Sequence, residues 1–168
     1  MYNRTEIRKA TGLDAEAIAA LLRSSFREFE PCYTPKAYDA TVLSPDRIRR
    51  RIEEGPVWVA DAHNELVGTI SVVLGAQGIY IRSMAVHPDA RGRGVARLLL
   101  DEIERYASEN VCRRLYLSTT PFLEAAIALY ERVGFVRTDA EPHALYGTPL
   151  FTMEKHLDPV QYSILSDR

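Results

Sequence analysis

Apolar positions along the chain recur with two periods, and the switches between them mark out the elements. Residues 4–10 alternate, with Ile7 inside, and predict a first strand. Thr11-Gly12-Leu13-Asp14 has the form of a capping box, and Ile18, Leu21, Leu22, Phe26 and Phe29 follow as one helical stripe ended by Pro31. Residues 31–43 carry two prolines and two tyrosines and read as a loop or broken helix. Ser44-Pro45 supplies an N-cap and a first-turn proline for a short helix over 46–54, which Gly55-Pro56 breaks. Strands are predicted at 57–60, 66–73 and 78–86; Asp61-Ala62-His63-Asn64 turns the first two into a hairpin. Val95, Leu98, Leu99 and Ile103 then share one face of a helix that runs to about Glu109.

After a strand at 114–117, Ser118-Thr119-Thr120-Pro121 opens a helix with Phe122, Ala126, Leu129 and Val133 on one side. Gly134 caps that helix, and Phe135-Val136-Arg137 starts another strand. A loop of turn formers over 138–147 leads to a last strand at 149–155. The order is β-α-α-β-β-β-α-β-α-β-β, an antiparallel meander followed by helices alternating with strands. It predicts an α/β (α+β) fold, one mixed sheet covered by helices on both faces. Residues 1–157 are expected to be a single domain, and 158–168, which has no clear period, a C-terminal tail.

Composition narrows the function more than the fold. A chain of 168 residues can bury about two-thirds of its unfolded surface. The net charge of −2 argues against nucleic acid as a partner. The basic run Arg47, Arg49, Arg50 and Arg51 is largely offset by Asp46, Glu53 and Glu54, as on a solvated helix face. The N-terminal stretch has no apolar core of a signal sequence and no segment is long enough to span a membrane, so a cytoplasmic protein is expected. Cys32 and Cys112 then read as free thiols, and no metal is expected.

The candidate chemistry lies in residues 78–100. A strand ending Met84-Ala85-Val86 feeds the turn His87-Pro88-Asp89-Ala90, then Arg91-Gly92-Arg93-Gly94, then the helix that begins with Val95 and Ala96. Such a helix start offers unpaired N–H groups and about half a positive charge to a phosphate, and glycines admit a ligand close to the backbone. Arg91 and Arg93 at the mouth could add charge-assisted hydrogen bonds. The stretch lacks the lysine of a nucleotide P-loop and the third glycine of a dinucleotide fingerprint, since Arg97 stands there.

What it does contain is R-x-x-G-x-A, as Arg91, Gly94 and Ala96, directly after a strand. This resembles the acetyl-CoA motif of the GNAT superfamily of N-acetyltransferases. About thirty-five residues later, Ala126, Leu129, Tyr130, Glu131, Gly134 and Phe135 resemble the family's A-x-x-L-Y-E-x-x-G-F helix, in the expected order. The element order over about residues 4–157 is likewise similar to the GNAT fold, with its mostly antiparallel central sheet.

The resemblance implies that acetyl-CoA is the cosubstrate. Amides of Arg91, Gly92, Arg93, Gly94, Val95 and Ala96 would cradle its pyrophosphate, and Met84, Ala85 and Val86 would pair with the pantetheine arm. It implies Tyr130, beside the coenzyme sulfur, as the catalytic acid. The Val86 amide would polarise the thioester carbonyl. One departure is Leu123, seven residues before Tyr130, where the family often has an asparagine; Ser118, Thr119 or Thr120 would take over its contact.

The harder chemical demand is on the acceptor. A lysine-type amine is only about one part in 2,500 neutral at pH 7, which costs roughly 4–5 kcal/mol unless its proton is removed. The strand at 78–86 carries no carboxylate to act as base, only Tyr80, Arg82 and Ser83. A water chain, or one of Glu28, Glu30, Tyr33, Tyr38, His143 and Tyr146 on the variable loops, is expected to serve, unless the amine arrives already neutral. Those loops, 27–43 and 138–148, hold tyrosines and acids, which suit a small cationic amine as substrate. Two alternatives stay open: acetylation of a protein or peptide amine, and a non-catalytic acetyl-CoA sensor. A homodimer is compatible with either.

Overall fold

The computed structural model describes residues 4–158, so apart from Asp158 the expected tail lies outside the described residues. Eight strands form the sheet: β1 (Glu6–Lys9), β2 (Val57–Ala62), β3 (Glu65–Gly75), β4 (Gly78–Val86), β5 (Arg114–Thr119), β6 (Val136–Arg137), β7 (His143–Leu145) and β8 (Thr148–His156). Their spatial order is β1-β2-β3-β4-β5-β8-β6, with β7 also on β8. Only β4 and β5 run parallel, and they meet over just three pairs, Ile79↔Leu115, Tyr80↔Tyr116 and Ile81↔Leu117. All other neighbours are antiparallel.

The helices are α1 (Ala15–Phe26), α2 (Pro35–Thr41), α3 (Pro45–Glu54), α4 (Val95–Glu109) and α5 (Glu124–Arg132). Period-two alternation divides the buried residues between the two sheet faces. In β2, Val57 and Val59 pack with Ile18 and Leu22 of α1 and Ile48 of α3, whereas Trp58 and Ala60 pack with Leu99 and Ile103 of α4. The expected mixed sheet, covered on both faces, is the architecture observed. Gly68 of β3 lets α4 sit close, since a Cβ there would lie 2.8 Å from Val95 Cγ1 and 3.1 Å from Leu99 Cδ1.

Four boundaries differ from the sequence pattern. The first helix ends at Phe26 and gives way to a 3₁₀ segment, Arg27–Cys32, that contains Pro31 and carries Phe29 out of the stripe. The supposed loop at 31–43 contains α2, because Thr34 caps it, accepting from the Ala37 N–H at 3.3 Å, and Pro35 stands in its first turn. Residues 118 and 119 do not open a helix. They pair with Thr152 and Phe151, so the β8 ladder holds Ser118 and Thr119 in β5 and α5 starts only at Glu124. Within 138–147, β7 pairs back on β8 through Tyr146-Gly147, both at positive φ (47° and 87°), as a tight hairpin requires.

Candidate active site

The site follows from a defect in β4. Its register on β3 passes from Ser71↔Ser83 to Val72↔Ile81, so Arg82 is an extra residue in the strand. A bulge of this kind increases local twist and bends the strand. Beyond it β4 leaves β5, whose pairing stops at Ile81↔Leu117. The alternation of the antiparallel ladder then decides what faces the opening. Gly68 lies opposite Val86 and Ile70 opposite Met84, and the His87 N–H donates to Val67 O at 2.8 Å. That phase puts the backbone polar groups of Met84 and Val86 on the side away from β3, toward the gap. Ser25 Oγ of α1 donates to Val86 O at 3.1 Å. The Val86 N–H is thus directed into the gap, as are the N–H and C=O of Met84.

The chain leaves β4 through a 3₁₀ turn, Pro88–Ala90, in which His87 Nδ1 accepts the Asp89 N–H at 3.2 Å. Gly92 and Gly94 follow at φ 76° and 80°, a conformation that favours glycine, and nothing lies within 4 Å of where their Cβ atoms would be. Gly94 is the N-cap of α4 and provides no side-chain cap, so the first-turn N–H groups of the helix are left for a ligand. Arg91 lines the groove. Its guanidinium pairs with Glu28 and donates to Ser25 O at 3.0 Å, and so ties the glycine turn to the end of α1. Arg93 does not line the groove; Arg97, one turn into α4, does.

These elements enclose a groove of about 470 Å³. Met84, Ala85 and Val86 form one wall, and Arg91, Gly92, Gly94, Val95 and Ala96 close one end. Leu123, Ala126, Leu129 and Tyr130 stand opposite. Unpaired N–H groups at a positive helix end, with an apolar trough beside them, match a diphosphate joined to an extended arm. The residues therefore fit coenzyme A. Ser25, Phe26 and Phe29 also line the groove, which the sequence did not indicate because α1 and the 3₁₀ segment after it lie some sixty residues away in the chain.

A second cavity of about 390 Å³ opens on the other side of the β4–β5 gap. It shares Phe26, Met84, Leu123 and Tyr130 with the groove, so the two spaces meet at the Tyr130 side chain. Gly134 at φ 99° ends α5, with the Phe135 N–H donating to Tyr130 O at 2.9 Å, and the Phe135 ring packs 5.6 Å from that of Tyr130. Tyr130 is 7% exposed, and burial pushes its phenol above the ordinary range, so it stays protonated at neutral pH. Thr119 lines the second cavity and not the groove.

Of the candidate bases, Tyr33 and Tyr146 line the second cavity. Burial pushes the Tyr33 phenol up to about 12. Glu28 is held by Arg91, and Glu30 and Tyr38 do not line the cavity. His143 stands behind the wall, its Nε2 3.1 Å from Ser118 Oγ, which does line it. The expected carboxylates are missing from the lining. Among the described residues its ionised side chains are Arg47, Arg51 and Arg82, because the acids of the loops point outward and the basic face of α3 turns in.

Residues 16–135 match the model of the acetyltransferase (GNAT) family. The N-acetyltransferase YjgM of Escherichia coli K12 is 31% identical over 139 residues, covering 79% of this chain and 83% of YjgM. The PaiA N-acetyltransferase of Thermoplasma acidophilum, solved in complex with coenzyme A, superposes with a TM-score of 0.79 at 20% identity over 91% of this chain and 99% of that one. YncA of Salmonella typhimurium, solved with acetyl-CoA, gives 0.70 at 22% identity over 94% and 96%. At these identities the two structures are a likeness of fold. The family model spans the splayed strand, the glycine turn and the tyrosine helix, and with YjgM it settles the assignment: the chain belongs to the GNAT family of acetyltransferases.

Proposed function

We propose that the chain transfers the acetyl group of acetyl-CoA to the primary amine of a small molecule, by direct attack in a ternary complex, with residues 1–157 as one catalytic domain. The observation that carries this reading is the meeting of a coenzyme-shaped groove and a separate acceptor cavity at Tyr130, across the gap between β4 and β5. A small acceptor is favoured because the two loops over the second cavity are joined. The Thr34 N–H donates to Thr148 Oγ1 at 3.0 Å, and Thr34 Oγ1 donates to Tyr146 O at 2.8 Å. A protein tail would need these loops apart.

Acetyl-CoA supplies an activated acyl carbon with a thiolate as leaving group. The glycine turn and the first turn of α4 anchor the diphosphate, and Met84 and Val86 align the arm along β4. The Val86 N–H, fixed in direction by the ladder, donates to the carbonyl oxygen as negative charge develops there. Tyr130, kept protonated by burial, gives its proton to the departing sulfur. The acceptor's proton leaves on the far side, where Ser118 Oγ and His143 Nε2 form a two-group path out of the cavity. Calorimetric titration with acetyl-CoA, followed by thiol release against a panel of small amines and peptides, tests the reading. Binding with release on a small amine supports it. Binding without release on any amine favours the sensor alternative, and release on peptides alone favours a protein acceptor.

A further inference from the structure

The second cavity is built for charge of a sign opposite to that of an ammonium substrate. Arg51 and Arg82 line it, one from the last turns of α3 and one from the bulge of β4. Arg82 donates one nitrogen to Glu54 at 2.8 Å, while its Nε and other terminal nitrogen are buried with no hydrogen-bond partner among the described residues. Arg51 is half-buried and makes no hydrogen bond or ion pair through its side chain among the described residues. Burial pushes its guanidinium down to about 10, and the neighbouring positive charge of Arg82 acts in the same direction. Arg47 adds a third positive charge at the rim, held by the Asp39 carbonyl at 2.9 Å. Buried donors left without acceptors and like charges brought together are both unfavourable, and a native protein keeps them where a ligand satisfies them.

We infer that the acceptor is an amine that also carries a carboxylate, with Arg51 and Arg82 as the pair that binds the acid. This rests on the acetyltransferase reading above and names the substrate class of that same site. A carboxylate accepts two hydrogen bonds from a guanidinium in a planar fork, and the buried Nε and second terminal nitrogen of Arg82 are a pair of donors left without an acceptor. The remaining wall, with Phe26, Leu117, Leu145 and Leu150, suits an apolar or aromatic side chain on that substrate. The chemistry is that of a free amino acid. It also explains why no carboxylate lines the cavity: one would compete for the same arginines.

The test is acetyl transfer to the twenty amino acids, to their α-amides and to the matching decarboxylated amines, with phenylalanine, phenylalaninamide and phenethylamine as one such set. At least one acid is expected to exceed its amide and amine in kcat/KM by about ten- to a hundred-fold. In Arg51→Gln and Arg82→Gln that preference should collapse toward one through KM, with acetyl-CoA affinity unchanged as evidence of an intact fold. Arg51→Lys should recover part of it. Equal or better turnover of amides and amines, or a preference that survives both substitutions, overturns the proposal while leaving the acetyltransferase reading in place. Binding of the N-acetyl amino acids, read by calorimetry, needs no turnover. Binding by the wild type that the variants lose supports the acid subsite even if transfer fails, and absence of binding by every one overturns it.

Discussion

Tyr130 joins the two spaces of the site, and its burial sets what it can do. A thiolate leaves readily, so losing its proton donor should cost less than losing a general base would. Tyr130→Phe is expected to lower kcat by about 10- to 100-fold while acetyl-CoA affinity and thermal stability hold; steady-state kinetics beside calorimetry decides it. An equal loss of stability would mark the side chain as packing alone. Gly94 makes the complementary case at the other end of the groove. Its φ of 80° makes even alanine cost about 1 kcal/mol, and Gly94→Asp adds a negative charge where the diphosphate would sit. Acetyl-CoA binding should fall at least ~100-fold in that variant by calorimetry. For the acceptor's proton, His143→Ala should reduce kcat at neutral pH, and the loss should shrink as the pH is raised and the amine neutralises itself. A loss of constant size across the pH range would remove the Ser118–His143 path.

Among the elements, α1 is anchored at both ends, and the anchor at its entry has a measurable signature. At its entry Asp14 accepts from the Thr11 N–H at 2.8 Å and from two Arg8 nitrogens at 2.9 Å. The Arg8 hydrogen bond is the main reason the Asp14 carboxyl is held below the usual carboxylate range. With the folded pKa depressed, the pair's contribution is complete above the unfolded value of about 3.9 and is lost as pH falls through the folded one. Arg8→Gln should therefore cost about 0.5–1 kcal/mol in denaturant melts at pH 7, with the difference from wild type vanishing below about pH 3; the cost is small because the Arg8 side chain is 40% exposed. Thr11 and Asp14 are three positions apart, so their part of this entry was readable as a capping box. The glycine turn and the tyrosine helix were readable for the same reason, being local motifs. Helix α2 was obscured by Pro31 just upstream of Thr34-Pro35, and β7 by a loop rich in turn formers. The inward face of α3 was not legible at all. Its arginines look solvated until β4 folds Arg82 beside them, and that contact spans about thirty residues of chain.

For the molecule as a whole, the feature with the widest consequence is the brevity of the β4–β5 junction. Three residue pairs join a half-sheet of β1 to β4 to a half-sheet of β5, β8, β6 and β7. The protein is in this respect two leaves on a short spine, and the coenzyme arm would lie where further rungs would have been. Acetyl-CoA would then act as a splint as well as a reactant. At a hundredfold excess over its dissociation constant it should add about 2.7 kcal/mol, and raise the melting temperature by about 5–10 °C. Hydrogen exchange should slow for Met84 and Val86 on one leaf and for Ser118 and Thr119 on the other together, because neither leaf could open without releasing the splint. Slowing confined to the glycine turn would mean that the leaves are already locked without it. If the splint holds, the enzyme is most rigid when charged with its donor and slackens once the coenzyme departs, which would tie entry and exit of the acceptor to the catalytic cycle.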